Sequence, residues 1–462
     1  MMHLPFLHAV RLFGRMARAT GLFLTIASLT VTPAMAQSIL RDAETEALFD
    51  EISAPMIAAA GLDPKNVDII LIQDKEINAF VAGGQAVYIH SGLITTADTA
   101  NEVQGVIAHE LGHVSGSHVV RFNEGIKAAT GISILSLVLG IAAIAAGAGD
   151  AGAGILAAGQ QAALGKFLAF SRTQESSADA AGASYLAKSG VSGVGMVSFF
   201  RKLQNVEYRY AIPQDDSYGR THPLTGERIA ALQEKLMADS AWGRKTDPAL
   251  EAKFQRVKAK LKGFVSEPRQ TLIDFPETNK SIPARYALAY AWHRSAYPEK
   301  ALEEANALLK AVPHDPYFLE LKGQILLESG RAVEALPILR EAVNETNAQG
   351  LIATLFGHAL VATENKDNLA EAQTVLRAAV AKDNDNPFAW YQLGVVYEQT
   401  GDRPRAALAT AERYNLEGRA RLALVSAEEA MHGIPTGTSD WIRAQDIAMV
   451  SRTEVENEKR RK

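Results

Sequence analysis

The run Val106-Ile107-Ala108-His109-Glu110-Leu111-Gly112-His113 constrains this chain more than any other stretch. In an α-helix each residue turns about 100°, so positions four apart lie about 40° apart on one face. His109 and His113 then point the same way, and both can hold one metal ion. Glu110 lies on the shoulder of that face, near enough to polarise a water beside the same ion. The competing reading is a polar helix with two solvated histidines. Val106, Ile107, Ala108 and Leu111 count against it, because they demand burial and a buried histidine without a partner is costly.

With 462 residues the chain is long enough for two or three domains. It has no cysteine, which excludes thiolate metal sites, disulfides and cysteine nucleophiles. Any metal must therefore be held by His, Asp and Glu. A formal charge of -5 gives no sign of a nucleic-acid partner. Residues 1–36 read as a signal peptide. Arg11, Arg15 and Arg18 make a basic start, an apolar run follows from Gly21 to Val31, and Pro33-Ala34-Met35-Ala36 ends in a small-x-small pattern. Cleavage is expected before Gln37, with an uncleaved N-terminal anchor as the alternative. The expected compartment is the periplasm.

Residues 40–60 read as an amphipathic helix. Residues 66–72 and 86–89 are β-rich, with Asn78-Ala79-Phe80 and a Gly83-Gly84 turn between them. This predicts a small antiparallel sheet ahead of the metal helix. An edge strand there can bind an extended substrate by strand addition, while plain scaffold is the alternative. Residues 128–170 read as an apolar helical hairpin, rich in Ile and Leu from Ile132 to Ile141 and interrupted at Asp150. Gln160, Gln161 and Lys166 make its second arm too polar to span a bilayer, so a pair of helices lying on protein or dipping into a membrane surface, with peripheral membrane contact, fits better than two spans. Residues 248–263 form a basic amphipathic helix, and 266–282 read as a linker.

From Pro283 the chain repeats. Asp315-Pro316, Gly323, Gly330 and Ala335 are matched at the same internal spacing by Asn386-Pro387, Gly394, Gly401 and Ala406, with Gly357 between. A helix-turn-helix unit of about 34 residues with this Gly/Ala/Pro pattern is the tetratricopeptide (TPR) signature. It predicts roughly four units over 283–432, with a concave surface for other proteins. The remainder, 433–462, reads as a C-terminal tail, charged and disordered after Glu454.

Two histidines leave a metal under-coordinated, and a catalytic site needs a third protein ligand. His118 lies about 180° from His109 on a continuous helix and so faces away, which reads as a surface residue or one that supports the ligands from behind. Glu175, on a helix read over Phe167 to Ala187, is the better candidate, with Asp179 one turn on as orienter or proton donor. By physics alone, an exposed helical glutamate is the default there.

The chain resembles the HtpX and CAAX-prenyl-protease superfamily of zinc metallopeptidases, and within it the periplasmic TPR-bearing proteases of the beta-barrel assembly-enhancing type. The resemblance rests on His109-Glu110-Leu111-Gly112-His113, Glu175-Ser176-Ser177-Ala178-Asp179, Thr221-His222-Pro223-Leu224 and the order of the domains. It implies one Zn2+ per chain held by His109, His113 and Glu175, with Glu110 as catalytic base. It puts Asp179 where the family has a proton donor, and His222 beside the metal, able to steady the oxyanion or block the open site. The implied fold is an α+β zincin-like metallopeptidase domain over 37–265, mostly helical with a small antiparallel sheet, followed by an all-α TPR domain. The implied function is a zinc endopeptidase of the cell envelope, acting on misfolded or stalled outer-membrane proteins. Its repeats would dock clients or the outer-membrane assembly machinery. The alternative is a TPR chaperone or assembly adaptor whose metal site is latent.

Overall fold

The computed structural model describes residues 38–145, 149–209, 222 and 225–461. The expected signal peptide lies outside them, as do residues 146–148 of the hairpin and Thr221, Pro223 and Leu224. After the short strand β1 (Ser38–Leu40), helix α1 (Ala43–Ala59) begins at Asp42, whose carboxylate accepts from the Thr45 N–H. Strands β2 (Asp68–Gln73), β3 (Ala79–Ala82) and β4 (Ala86–His90) follow. β2 and β4 pair in parallel, with Ile69 opposite Val87. β3 pairs antiparallel with β4, with Phe80 opposite Tyr88. The sheet is therefore mixed, where a wholly antiparallel one was expected. Segment 74–78 carries the chain past the slot that β4 later fills. Gly83 and Gly84, both at positive φ (63° and 101°), then fold β4 back beside β3. β3 is left at the edge of the sheet.

Helix α2 (Ser91–Thr96) leads into α3 (Ala100–Ser115), the metal helix. Thr99 caps α3 by accepting from the Glu102 N–H, and the Glu102 carboxylate reaches back to the Asp98 N–H at 2.6 Å. Every residue from Ala100 to Val114 is buried, as its apolar run requires. Helices α4 (His118–Ala145) and α5 (Gly149–Ser189) pack along each other as the expected hairpin and extend it at both roots. Helices α6 (Val194–Arg209), α7 (Gly226–Met237) and α8 (Pro248–Val265) complete this half. Its core gathers Phe49, Ile89, Val106, Leu111, Phe200 and Phe254.

The stretch read as a linker holds a further helix, α9 (Pro268–Asp274). Four helical pairs follow. They are α10 (Ile282–Arg294) with α11 (Pro298–Ala311), α12 (Pro316–Glu328) with α13 (Ala332–Glu345), α14 (Gly350–Ala362) with α15 (Leu369–Lys382), and α16 (Pro387–Thr400) with α17 (Arg403–Leu416). The small residues of the repeat act as expected. A methyl group on Gly323 would meet Leu339, and one on Gly357 would meet Leu376, so paired helices approach closely only because these positions are bare. Helices α18 (Ala420–Gly433) and α19 (Ser439–Arg461) continue the array. Where disorder was expected after Glu454, the described residues through Arg461 are helical. Ala444, Ile447 and Ala448 bury a face of α19 against Ala411, Ala423 and Ala427, and Val455 extends that buried face by two more turns.

The two halves meet through charge as well as through packing. Lys260 of α8 is buried, 2.5 Å from Asp42 and 3.3 Å from Glu44. Arg256 pairs with Glu44 and, at 2.7 Å, with Asp315, which caps α12. The Tyr286 hydroxyl of α10 donates to Glu44 at 2.7 Å. Alongside, Gly263 lies flat on the α10 backbone at Ala287, where a methyl group would come within 2.6 Å of a carbonyl oxygen.

Candidate metal centre

The site is made where α5 crosses α3. A methyl group on Gly112 would sit 2.5 Å from the Ala178 carbonyl oxygen, and one on Gly182 would sit 2.8 Å from that of Ala108. The two backbones touch, so side chains one turn away on each helix must share space. Glu175 is delivered in this way to the face that carries His109 and His113. His109 Nε2 and His113 Nε2 lie 3.1 Å apart, and each is 3.4 Å from an oxygen of Glu175. His222 enters from outside both helices, with Nδ1 3.2 Å from His109 Nε2 and 3.1 Å from Glu175. The four donor atoms all lie within 4.8 Å of one another, and all four residues are buried.

This donor set fits a metal ion. Donors held about 2.0–2.1 Å from a tetrahedral Zn2+ are about 3.3 Å apart, and the separations here run from 3.1 to 3.4 Å. The acid–base state agrees. Burial works against charge on His109, yet Asp179 and Glu175 outweigh it and hold its pKa at about 9. Burial also resists ionisation of Glu175 and Asp179. Around Glu175 the neighbours His222 and His109 prevail, and around Asp179 Arg228 and His109 do, so both carboxylates titrate below their usual range. Burial and the charges of His109 and His222 push His113 well below its usual value. A cluster that draws in one proton so strongly is one a divalent cation can enter, displacing that proton. Glu110, beside the first imidazole, is fully buried, and burial pushes its pKa up. Neither of its oxygens has a hydrogen-bond partner among the described residues. His222 Nε2 lies 3.7 Å from one of them. A buried carboxylate in this condition is expensive and marks a place kept for chemistry.

Behind the donors lies a supporting layer that the sequence revealed only in part. His109 Nδ1 is 2.9 Å from Asp179, which orients the ring. Arg228 of α7 grips Asp179 through two contacts, 2.5 and 2.8 Å, and reaches Glu175 at 3.0 Å. Its guanidinium lies over the Phe200 ring. Arg228 was not anticipated. The signal available was an arginine in the first turn of a helix, where the dipole disfavours a cation unless an anion lies close by.

Of the two roles read for His118, the structure shows the supporting one, reached by a different route. The metal helix does not continue to it. The chain breaks at Gly116 and Ser117, the latter at φ 52°, and α4 starts anew at His118. A side chain at Gly116 would strike the His118 ring. The break turns His118 inward, where its Nδ1 lies 2.9 Å from His113 Nδ1. His113 thus has an orienting partner, as His109 has in Asp179. His118→Ala is expected to weaken Zn2+ binding by about 10–100-fold in a competition titration against a chromophoric chelator, with the far-ultraviolet CD spectrum unchanged. Unaltered affinity would leave His118 without that role.

Two imidazoles from one helix, a carboxylate from another and a buried glutamate beside them define a metallopeptidase of the zincin kind. Residues 7–236 match the family model "Peptidase family M48". The chain belongs to peptidase family M48, a family of metallopeptidases whose membership implies a divalent metal. It is 26% identical over 387 residues to the "Beta-barrel assembly-enhancing protease" of Yersinia pestis, covering 81% of this chain and 76% of that one. To the protein of the same name in Escherichia coli K12 it is 25% identical over 382 residues, with the same coverage. Among solved structures, the TPR protein YrrB aligns with 38% of this chain and 91% of its own length, at 20% identity and a TM-score of 0.31.

Proposed function

We propose that this chain is a zinc endopeptidase of the bacterial periplasm that hydrolyses misfolded or stalled outer-membrane proteins. In this reading residues 37–265 form the peptidase domain, and the repeats over 283–432 dock clients or the assembly machinery. The observation that carries it is the convergence of His109, His113 and Glu175 at tetrahedral spacing, with Glu110 alongside. The names of the relatives support the client class.

Zn2+, when bound by His109, His113 and Glu175, would polarise a peptide carbonyl and make a nearby water acidic. Glu110, its pKa pushed up by burial, takes the proton from the attacking water and passes it to the departing amine. Asp179, already bonded to His109 and Arg228, acts as an orienter of His109 more naturally than as a proton donor. Arg228 holds Asp179 and Glu175 in register. Edge strand β3 offers an unpaired backbone to an extended substrate beside α3. His222 fills the fourth corner in this conformation, and once displaced it can steady the oxyanion.

Glu175→Gln tests the ligand set. We expect wild type to retain one equivalent of zinc after dialysis, and the variant to bind it at least tenfold more weakly and to lose casein cleavage. Full zinc retention in Glu175→Gln would end this reading. The presence of His222 in the fourth corner favours a second reading, a TPR chaperone or adaptor with a latent site. That reading requires client protection that survives chelation.

Peripheral membrane contact belongs to the same proposal. No helix among the described residues is long and apolar enough to cross a membrane. Yet Ile134, Leu135, Leu137, Val138, Leu139 and Ile141 are each at least half exposed. They cover about 200° of the α4 circumference, wider than the single stripe a protein groove would take up. The full chain should float with phosphatidylethanolamine–phosphatidylglycerol vesicles, and Leu135→Glu with Val138→Glu should keep it at the bottom of the gradient. Wild type remaining at the bottom would dismiss the contact.

A further inference from the structure

A second group of ligating side chains lies at the opposite end of the sheet strands from the Gly83–Gly84 turn, in the segment that leads into edge strand β3. Asp74, Glu76 and His90 each offer a donor atom within 4.8 Å of the other two. The Asp74 Oδ2 to His90 Nδ1 distance is 3.7 Å. His90 closes β4 and is 1% exposed. Neither ring nitrogen has a normally aligned hydrogen bond among the described residues, and the contact with the Glu76 backbone oxygen falls short of one. A wholly buried imidazole left in this state costs free energy unless something else engages it.

The surrounding loop is already rigid. Asp74 Oδ1 accepts from the Glu76 N–H at 2.9 Å, and the Asp74 carbonyl accepts from the Gly92 N–H at 2.8 Å and the Ser91 hydroxyl at 2.7 Å. The His90 N–H donates to the Asn78 carbonyl at 3.0 Å. Gly92 lies so close that a methyl group there would meet the Lys75 carbonyl at 2.2 Å. This stitching fixes the backbone and leaves three side chains facing each other.

We propose that Asp74, Glu76 and His90 form a second, structural metal site for a divalent transition-metal cation. One imidazole and two carboxylates make a borderline donor set that suits Zn2+ or Mn2+ better than Ca2+, with Zn2+ the tighter of the two. Asp74 and Glu76 are only partly buried, which leaves an entry path. A cation there would tie the β2–β3 segment to the end of β4 and so set the position of β3.

The test is zinc stoichiometry on the full chain by equilibrium titration to micromolar free Zn2+, read by elemental analysis. Wild type should bind two equivalents. Asp74→Asn keeps the oxygen that accepts from the Glu76 N–H but removes the charge, and it should bind one. Glu175→Gln should also lose one equivalent, and the double variant none, so failure here and failure of the catalytic site are told apart. Should Asp74→Asn fold poorly by CD, Glu76→Gln reads the same site. A wild type that binds one equivalent, lost only with Glu175, overturns the proposal. Two equivalents that persist in both Asp74→Asn and Glu76→Gln overturn it as well.

Discussion

Glu110→Gln should leave a folded, zinc-loaded chain that cleaves casein about 10³-fold more slowly than wild type. Glutamine has the same shape and fills the same fully buried space, so α3 keeps its packing against Phe200 and the rest of its core. The donors His109, His113 and Glu175 are untouched. What disappears is a carboxylate with no hydrogen-bond partner among the described residues, and with it the capacity to take a proton. Buried glutamine amide groups without partners carry their own cost, of about 1–3 kcal/mol, so a small fall in stability is expected alongside. Zinc content measured on the same sample separates the two effects. Wild-type cleavage with zinc retained would remove Glu110 from the reaction.

Lys260→Ala should destabilise the chain by about 3–5 kcal/mol, read as a lower urea midpoint. The ammonium is buried between Asp42 and Glu44 and sits 5.4 Å from the centre of the Tyr286 ring. Burial opposes its charge, but the carboxylates outweigh it and hold the lysine protonated. Removing it takes a charge partner from both carboxylates, and buried Glu44 is left with Arg256 and the Tyr286 hydroxyl alone to offset its charge. Glu320 nearby, already pushed up to about 8 by burial, loses a cation that holds it down. Because Asp42 and Glu44 cap and begin α1 while Tyr286 and Glu320 belong to the repeats, the loss should also loosen one half from the other. Lys253→Ala is the control. Its pairing with Glu51 is exposed on both sides and should be worth less than about 1 kcal/mol. Equal effects of the two substitutions would mean the buried cluster contributes no more than a surface pair.

Much of the molecule was legible in the residues themselves. The four-residue spacing of His109 and His113 inside an apolar run dictated a buried helix with both rings on one face. The recurring Gly, Ala and Pro positions from 283 onward dictated paired helices, because only a bare position such as Gly323 lets Leu339 sit against the backbone. Both are short-range properties, written in periodicity. The α19 helix escaped that reading because its exposed charges dominate the composition, while a few alanines and Val455 supply the buried face. The parallel pairing of β2 with β4 escaped it because strand order depends on where segment 74–78 crosses, which local patterning does not record. The meeting of Glu175 with the histidines needed the backbone contacts at Gly112 and Gly182, and the inward turn of His118 needed a helix break at Gly116. Arg228 reached Asp179 from a third helix altogether. Spacing along the chain thus specified which faces exist. Which faces meet was decided by close packing between segments far apart in sequence, where a single added methyl group would hold two helices, and the donors they carry, out of reach.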